Sequence, residues 1–170
     1  MKFRTRRCAA GIAGAAVAAL LLTACAAHPG AAAVVDGRTI SQAYLDETYD
    51  EIGNPGLDKA TTLVLLIVAP AFIEAASEQG VGVSEADARA AAEAGLAGRG
   101  VTDVSDGTVE FFRLTLALQN LQNVPGSDDL VNEVAAAALA ARIEINPRYG
   151  DLDARSGMIA RAPLPWIVGG

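Results

Sequence analysis

Histidine and cysteine are nearly missing from this 170-residue chain, which carries His28, Cys8 and Cys25 and no others of either type. One histidine leaves the common zinc sites and the Ser-His-Asp triads without their parts, and His28 reads as linker, so no metal and no cofactor is expected. Cations are short as well: 13 Lys and Arg stand against 20 Asp and Glu, for a net charge of −7. That balance excludes nucleic acid as a partner, since phosphates require clustered cations, and it excludes docking on anionic lipid by charge. Gly98, Gly100 and Gly107 lack the spacing of a phosphate-binding loop. No internal repeat is visible.

What is present is most distinctive at the N-terminus. Lys2, Arg4, Arg6 and Arg7 precede a run of small apolar residues that closes with Leu20, Leu21 and Leu22, the charged and apolar regions of a signal peptide. The run from Ala9 to Ala24 is shorter than the roughly 20 apolar residues of a membrane span. Leu22-Thr23-Ala24-Cys25 resembles the lipobox of bacterial lipoproteins. The resemblance implies a signal peptide at residues 1–24, cleavage before Cys25, a diacylglyceryl group on the Cys25 thiol, and a tether at residues 25–33. A secretory signal with an incidental cysteine is the alternative. Removing 24 residues leaves 146, the size of one domain, and lowers the basic count from 13 to 9 against 20 acids, a mature charge of −11. With Cys8 removed and Cys25 committed to lipid, no disulfide forms within the mature chain. Two or three acyl chains would hold the protein on the outer face of the cell membrane.

Periodicity gives the rest a mainly helical reading, with about five helices in one domain over residues 34–170. A brief strand is expected at Ala32 to Val35, followed by an Asp36-Gly37 turn. Thr39 stands three residues before Gln42, the capping-box spacing, and Ile40, Tyr44, Leu45, Thr48 and Ile52 recur with a helical period, so a first helix is expected from Ile40 to Ile52. Asp58 should cap a second helix running to Gly80, apolar on nearly all sides and therefore central. Pro70 inside it should kink it or split it in two. Ser84 caps a third helix ending between Gly95 and Gly100. A fourth spans Thr108 to Asn123 with Phe111, Leu114, Leu118 and Leu121 on one stripe. A fifth begins at Ser127 or Asp128 and ends at Ala141. Ile143-Glu144-Ile145 alternates as a short strand, and an isolated strand leaves its backbone groups unpaired. Val34-Val35 and Ile143–Ile145 are therefore expected to form a two-stranded element, within one chain or by exchange in a homodimer.

This order resembles the chaperone domain of the SurA and PrsA family of extracytoplasmic foldases. Val34-Val35-Asp36-Gly37-Arg38-Thr39-Ile40 is similar to that family's opening strand and turn. Leu63 to Gly82 with Val83-Ser84-Glu85-Ala86-Asp87 is similar to its long helix and connector, and Ile143-Glu144-Ile145-Asn146-Pro147-Arg148-Tyr149-Gly150 to its closing strand and turn. Family members often carry a parvulin prolyl isomerase at the junction that here is Gln122 to Ser127, too short to hold one, and the parvulin histidines are missing. The resemblance implies a SurA N-terminal-like fold and an ATP-independent chaperone for unfolded or newly exported proteins, without isomerase activity. An adaptor that binds one folded partner is the competing reading.

An enzyme is not expected. The acidic pairs Asp46 with Asp50, Glu47 with Glu51, and Asp128 with Asp129 fall on solvated helix faces or at a helix start, where acids favour water or the dipole. The candidate peptide-binding residues are Phe111, Phe112 and Trp166. Phe111 and Phe112 are adjacent on a helix, so their side chains diverge by about 100° and one of the two can face solvent. Phe111 reads first as core, and Phe112 equally as core or as binding surface. Trp166, in the proline-flanked stretch Ala162 to Val168, reads as a cover for the domain's own core or as a contact for a client.

Overall fold

The computed structural model describes residues 29–153 and 155–160. Cys25, Trp166 and the signal and tail segments lie outside the described residues. The chain enters through a hairpin in which β1 (Ala31–Val35) and β2 (Arg38–Ser41) are joined by Asp36 and Gly37. Both turn residues have positive φ, 48° and 88°, the backbone twist that a two-residue hairpin turn requires. Strand β2 corrects the expectation of a helix starting at Ile40. An Asp-Gly turn demands a second strand at once, and Ile40 answers a period of two, pairing with Ala33 and lying 1% exposed. The N-cap of the first helix is consequently Ser41 rather than Thr39, and its hydroxyl accepts from the Tyr44 N–H at 3.0 Å.

Strand β3 (Ile143–Ile145) pairs with β1 as expected, antiparallel, with Val34 opposite Glu144 and Val35 opposite Ile143. The sheet has three strands in the order β2-β1-β3 rather than two. Ala31, expected only as tether, joins Ala32 and Ala33, which the tether and the expected strand shared, as the buried start of β1. Alanines carry no polar signal that separates a linker from a tightly packed strand.

Five helices follow the hairpin and precede β3: α1 (Gln42–Ile52), α2 (Lys59–Glu78), α3 (Glu85–Leu96), α4 (Asp106–Leu121) and α5 (Ser127–Leu139). Asp58 caps α2 by accepting from the Thr61 N–H at 2.7 Å, and Ser84 caps α3 at Asp87. Helix α4 begins two residues before Thr108, capped by the Ser105 hydroxyl at the Thr108 N–H. The residue before α5 is Gly126 with φ 76°, and no side chain caps that helix. Ser127 and Asp128 therefore lie inside its first turn, where Asp128 and Asp129 complement the helix dipole. After β3, a second hairpin forms from β4 (Asp151–Asp153) and β5 (Met158–Ala160). Two three-residue strands are too short to show a period, so no pattern in the chain announces them.

Helix α2 is the centre of the molecule. Nine of its side chains are buried, from Thr62 to Ala76, and it packs on α4, α5, α1, β1 and β5. Its length and composition would also suffice to cross a bilayer, the property of any helix that is apolar on nearly all sides. The main core joins Leu63, Leu66 and Phe72 of this helix to Ile40, Leu45, Leu114 and Leu121. A second, smaller core gathers Ala88, Ala92, Leu96, Val104 and Val109 between α3 and α4.

Pro70 neither splits α2 nor interrupts it. Proline lacks the N–H that the carbonyl four residues earlier would accept, which here is the carbonyl of Leu66. Arg38 supplies the missing donor: its Nη2 reaches the Leu66 oxygen at 2.6 Å. The orphaned acceptor is satisfied from outside the helix, and the helix continues.

Candidate functional site

The same Arg38 anchors a polar network that walls one end of a cleft. Its Nη1 donates to Glu110 Oε1 at 2.9 Å, and the Tyr44 hydroxyl donates to Glu110 Oε2 at 2.7 Å. Four elements are joined by this network, since Arg38 lies on β2, Tyr44 on α1, Glu110 on α4 and the Leu66 carbonyl, bonded to Arg38, on α2. Burial, and then the hydrogen bond to Glu110, push the Tyr44 phenol well above its ordinary pKa of 10.0, because the charged phenolate would lose water and face a carboxylate.

Beyond Tyr44 and Glu110 the cleft opens to a volume of about 590 Å³, within the range of ligand sites. Two helical stripes face each other across it: Pro70, Ile73, Glu74 and Ser77 from α2, and Asp106, Val109, Glu110 and Arg113 from α4. Each stripe follows the i, i+3, i+4, i+7 spacing of one helix face. Pro70, Ile73 and Val109 make an apolar floor, and the other side chains, with Glu85 from the first turn of α3, make a polar rim.

Charges on that rim are unequally satisfied. Asp106 takes Arg89 at 3.0 Å, and Glu85 takes the same guanidinium at 3.7 Å. Arg113 donates its Nε to the Val83 carbonyl at 2.7 Å, and its two Nη groups have no partner among the described residues. Glu74 is exposed and has no partner among them either. The arrangement thus holds a guanidinium in place by one nitrogen and leaves its fork available, with an unpaired carboxylate on the facing helix.

Among the described residues, those singled out from sequence as peptide-binding candidates do not line this cleft. Phe112 packs against the second core, with its ring 3.2 Å from where a Cβ on Gly95 would stand. Phe111 is half-buried and meets Phe112 edge-on, with ring centroids 6.1 Å apart. Neither lines the cleft. Trp166 and Cys25 lie outside the described residues. Of the acidic pairs, Asp46 bonds Lys59 at 2.7 Å and Glu51 accepts from the Ser105 hydroxyl at 2.9 Å, both structural contacts. Among the described residues no group of three or more His, Cys, Asp or Glu is placed to hold a metal ion. A signal for the cleft did exist: Glu74 and Ser77 break the apolar run that starts at Leu63, on the face that Pro70 begins.

These features define a mainly helical domain with small antiparallel sheets and a cleft of mixed polarity between α2 and α4. No protein-family model matches the chain, and neither a curated protein nor a solved structure does.

Proposed function

We propose that the protein is a lipid-anchored extracytoplasmic chaperone that holds extended segments of newly exported polypeptides, without ATP and without prolyl isomerase activity. In this reading residues 1–24 are removed, Cys25 carries the lipid, and the domain has the SurA-like order in which the opening and closing strands pair. The observation that carries it is the cleft: an apolar floor of Pro70, Ile73 and Val109 beneath a polar rim on which Glu74 and the two Nη groups of Arg113 have no partner among the described residues. Extended chains are recognised through both their side chains and their exposed backbone, and this lining addresses both. Nothing in that task requires a nucleotide.

Full-length protein in detergent micelles should, at stoichiometric excess, delay the light-scattering rise of a chemically unfolded test protein. Ser77→Tyr, at an exposed position on the rim, should shorten that delay by narrowing the cleft. Absence of any delay at any ratio removes the reading. The anchor is tested separately. Mass spectrometry of the mature N-terminus should find diacylated Cys25, and Cys25→Ala should move the protein from the membrane to the soluble fraction.

One observation favours a second reading, an adaptor for a single folded partner. Among the described residues Met158, 67% exposed, is the one large hydrophobic side chain left in solvent, which is little for a surface that captures many clients. Cross-linking in the native membrane separates the two: many unrelated exported proteins support the chaperone, and one dominant partner supports the adaptor.

A further inference from the structure

We infer that the cleft selects extended segments carrying a basic side chain, which Glu74 and Glu85 receive while an apolar neighbour rests on the Pro70, Ile73 and Val109 floor. The inference rests on the proposed peptide-holding function and names its preferred substrate. Four carboxylates line the cleft, those of Glu74, Glu85, Asp106 and Glu110, against the single guanidinium of Arg113. Internal pairing reduces this excess without removing it. Glu110 is matched by Arg38 and Asp106 by Arg89, Glu85 has only the longer 3.7 Å contact with Arg89, and Glu74 has no partner among the described residues. The whole chain, at −7, adds to the attraction of a cation rather than opposing it.

Length sets how much chain the cleft can take. Each lining stripe runs from residue i to i+7, about 10 Å along the axis at 1.5 Å per residue, which equals about three residues of extended polypeptide. Side chains of an extended segment alternate, so one can face the floor while the next reaches the rim. Arg113 would then serve the segment's backbone, its free fork donating to carbonyl oxygens. An acidic segment could instead seek Arg113 as an ion pair, but it would do so beside Glu74 and Glu85, and the cost of like charges opposes it.

The test uses full-length protein in micelles and eight-residue peptides, acetylated and amidated, of one apolar sequence with a fluorophore and a central Lys, Gln or Glu. Fluorescence anisotropy at low ionic strength should rank affinity Lys over Gln over Glu, with about tenfold between the extremes, and 1 M salt should collapse the difference. Glu74→Gln should weaken the Lys peptide about threefold, as expected for one exposed charge pair, and leave the Gln peptide unchanged. Glu74→Lys should invert the order. Because Glu74 is exposed, neither substitution disturbs the core. Equal binding of the Lys and Glu peptides, tighter binding of the Glu peptide, no binding of any of them, or a Lys preference untouched by both Glu74 variants would each overturn the inference. The aggregation assay is run alongside on the same preparations. Delayed aggregation without charge preference sinks this inference and leaves the chaperone reading standing, whereas a Glu74-dependent Lys preference without delayed aggregation does the reverse.

Discussion

Arg38 holds together more of this molecule than its place on a short edge strand would indicate. Its guanidinium serves the carbonyl that Pro70 leaves without a donor and the carboxylate that fixes Tyr44. A hydrogen bond to a charged group is worth about 1.5–3 kcal/mol, and the 38% exposure of the Arg38 side chain places the effect at the lower end. Arg38→Ala should therefore cost about 2 kcal/mol in urea unfolding. In a Pro70→Ala background the new N–H satisfies Leu66 from within the helix, and the cost of Arg38→Ala should fall by about 1 kcal/mol. Equal costs in the two backgrounds would mean that the Leu66 contact carries no energy. Tyr44 gives a second prediction at this scale, one of pH. Its pKa is raised in the folded protein, so the protonated phenol contributes fully below pH 10.0, and the contribution fades as the unfolded-state phenol ionises above it. Relative to Tyr44→Phe, the native protein should be more stable at pH 8, and the gap should narrow by pH 11. A gap that stays constant across that range would show that Tyr44 ionises alike in both states.

Among the elements, α1 and α4 approach closely, and a glycine permits it. A Cβ on Gly107 would collide with the Thr48 hydroxyl and stand 3.0 Å from the Tyr44 ring, where both Gly107 and Thr48 are buried. Gly107→Ala should destabilise by about 1–3 kcal/mol through overpacking, despite alanine's better helix propensity, and thermal unfolding will register the sign. An increase in melting temperature would mean that the two helices can separate freely. That same glycine hides the start of α4: as a segment, Val101 to Gly107 looks like loop, and only the packing against α1 gives Gly107 a place in a helix. Elements whose cause is local were legible, such as the Asp58 and Ser84 caps and the apolar run of α2. The pairing of β1 with β3 was legible too, because two short strands had no other partners. Strand β2 was hidden by a competing capping-box pattern at Thr39. The β4–β5 hairpin was hidden by its brevity, and the cleft by its construction from stripes on two helices that the sequence separates. The persistence of α2 through Pro70 depended on a guanidinium from another element, which no local pattern contains.

At the scale of the whole molecule, stability is divided unevenly between the two cores. The main core contains long side chains from α2 and α4. The second buries two alanines, two valines and Leu96, and with apolar burial worth about 25 cal/mol per Å² those small side chains contribute far less. Helix α3 packs chiefly on α4, so it can detach while α2 and its neighbours stay folded. Such sub-global opening would move Glu85 away and widen the cleft, linking the weaker core to ligand entry. Native-state hydrogen exchange should then find residues 85–96 exchanging through openings at least about 1 kcal/mol cheaper than those that expose the α2 amides. Two truncations make the test specific. Leu96→Ala removes a contact of the folded α3, raises the native state relative to both the open and the unfolded forms, and should speed exchange in α3 and α2 alike. Leu63→Ala weakens a core that remains intact when α3 opens. It should speed α2 by the factor that corresponds to about 2–5 kcal/mol and leave α3 unchanged until the two rates meet. If Leu63→Ala accelerates both helices equally from the start, the molecule opens as one cooperative unit, and the cleft must admit its ligand without the departure of α3.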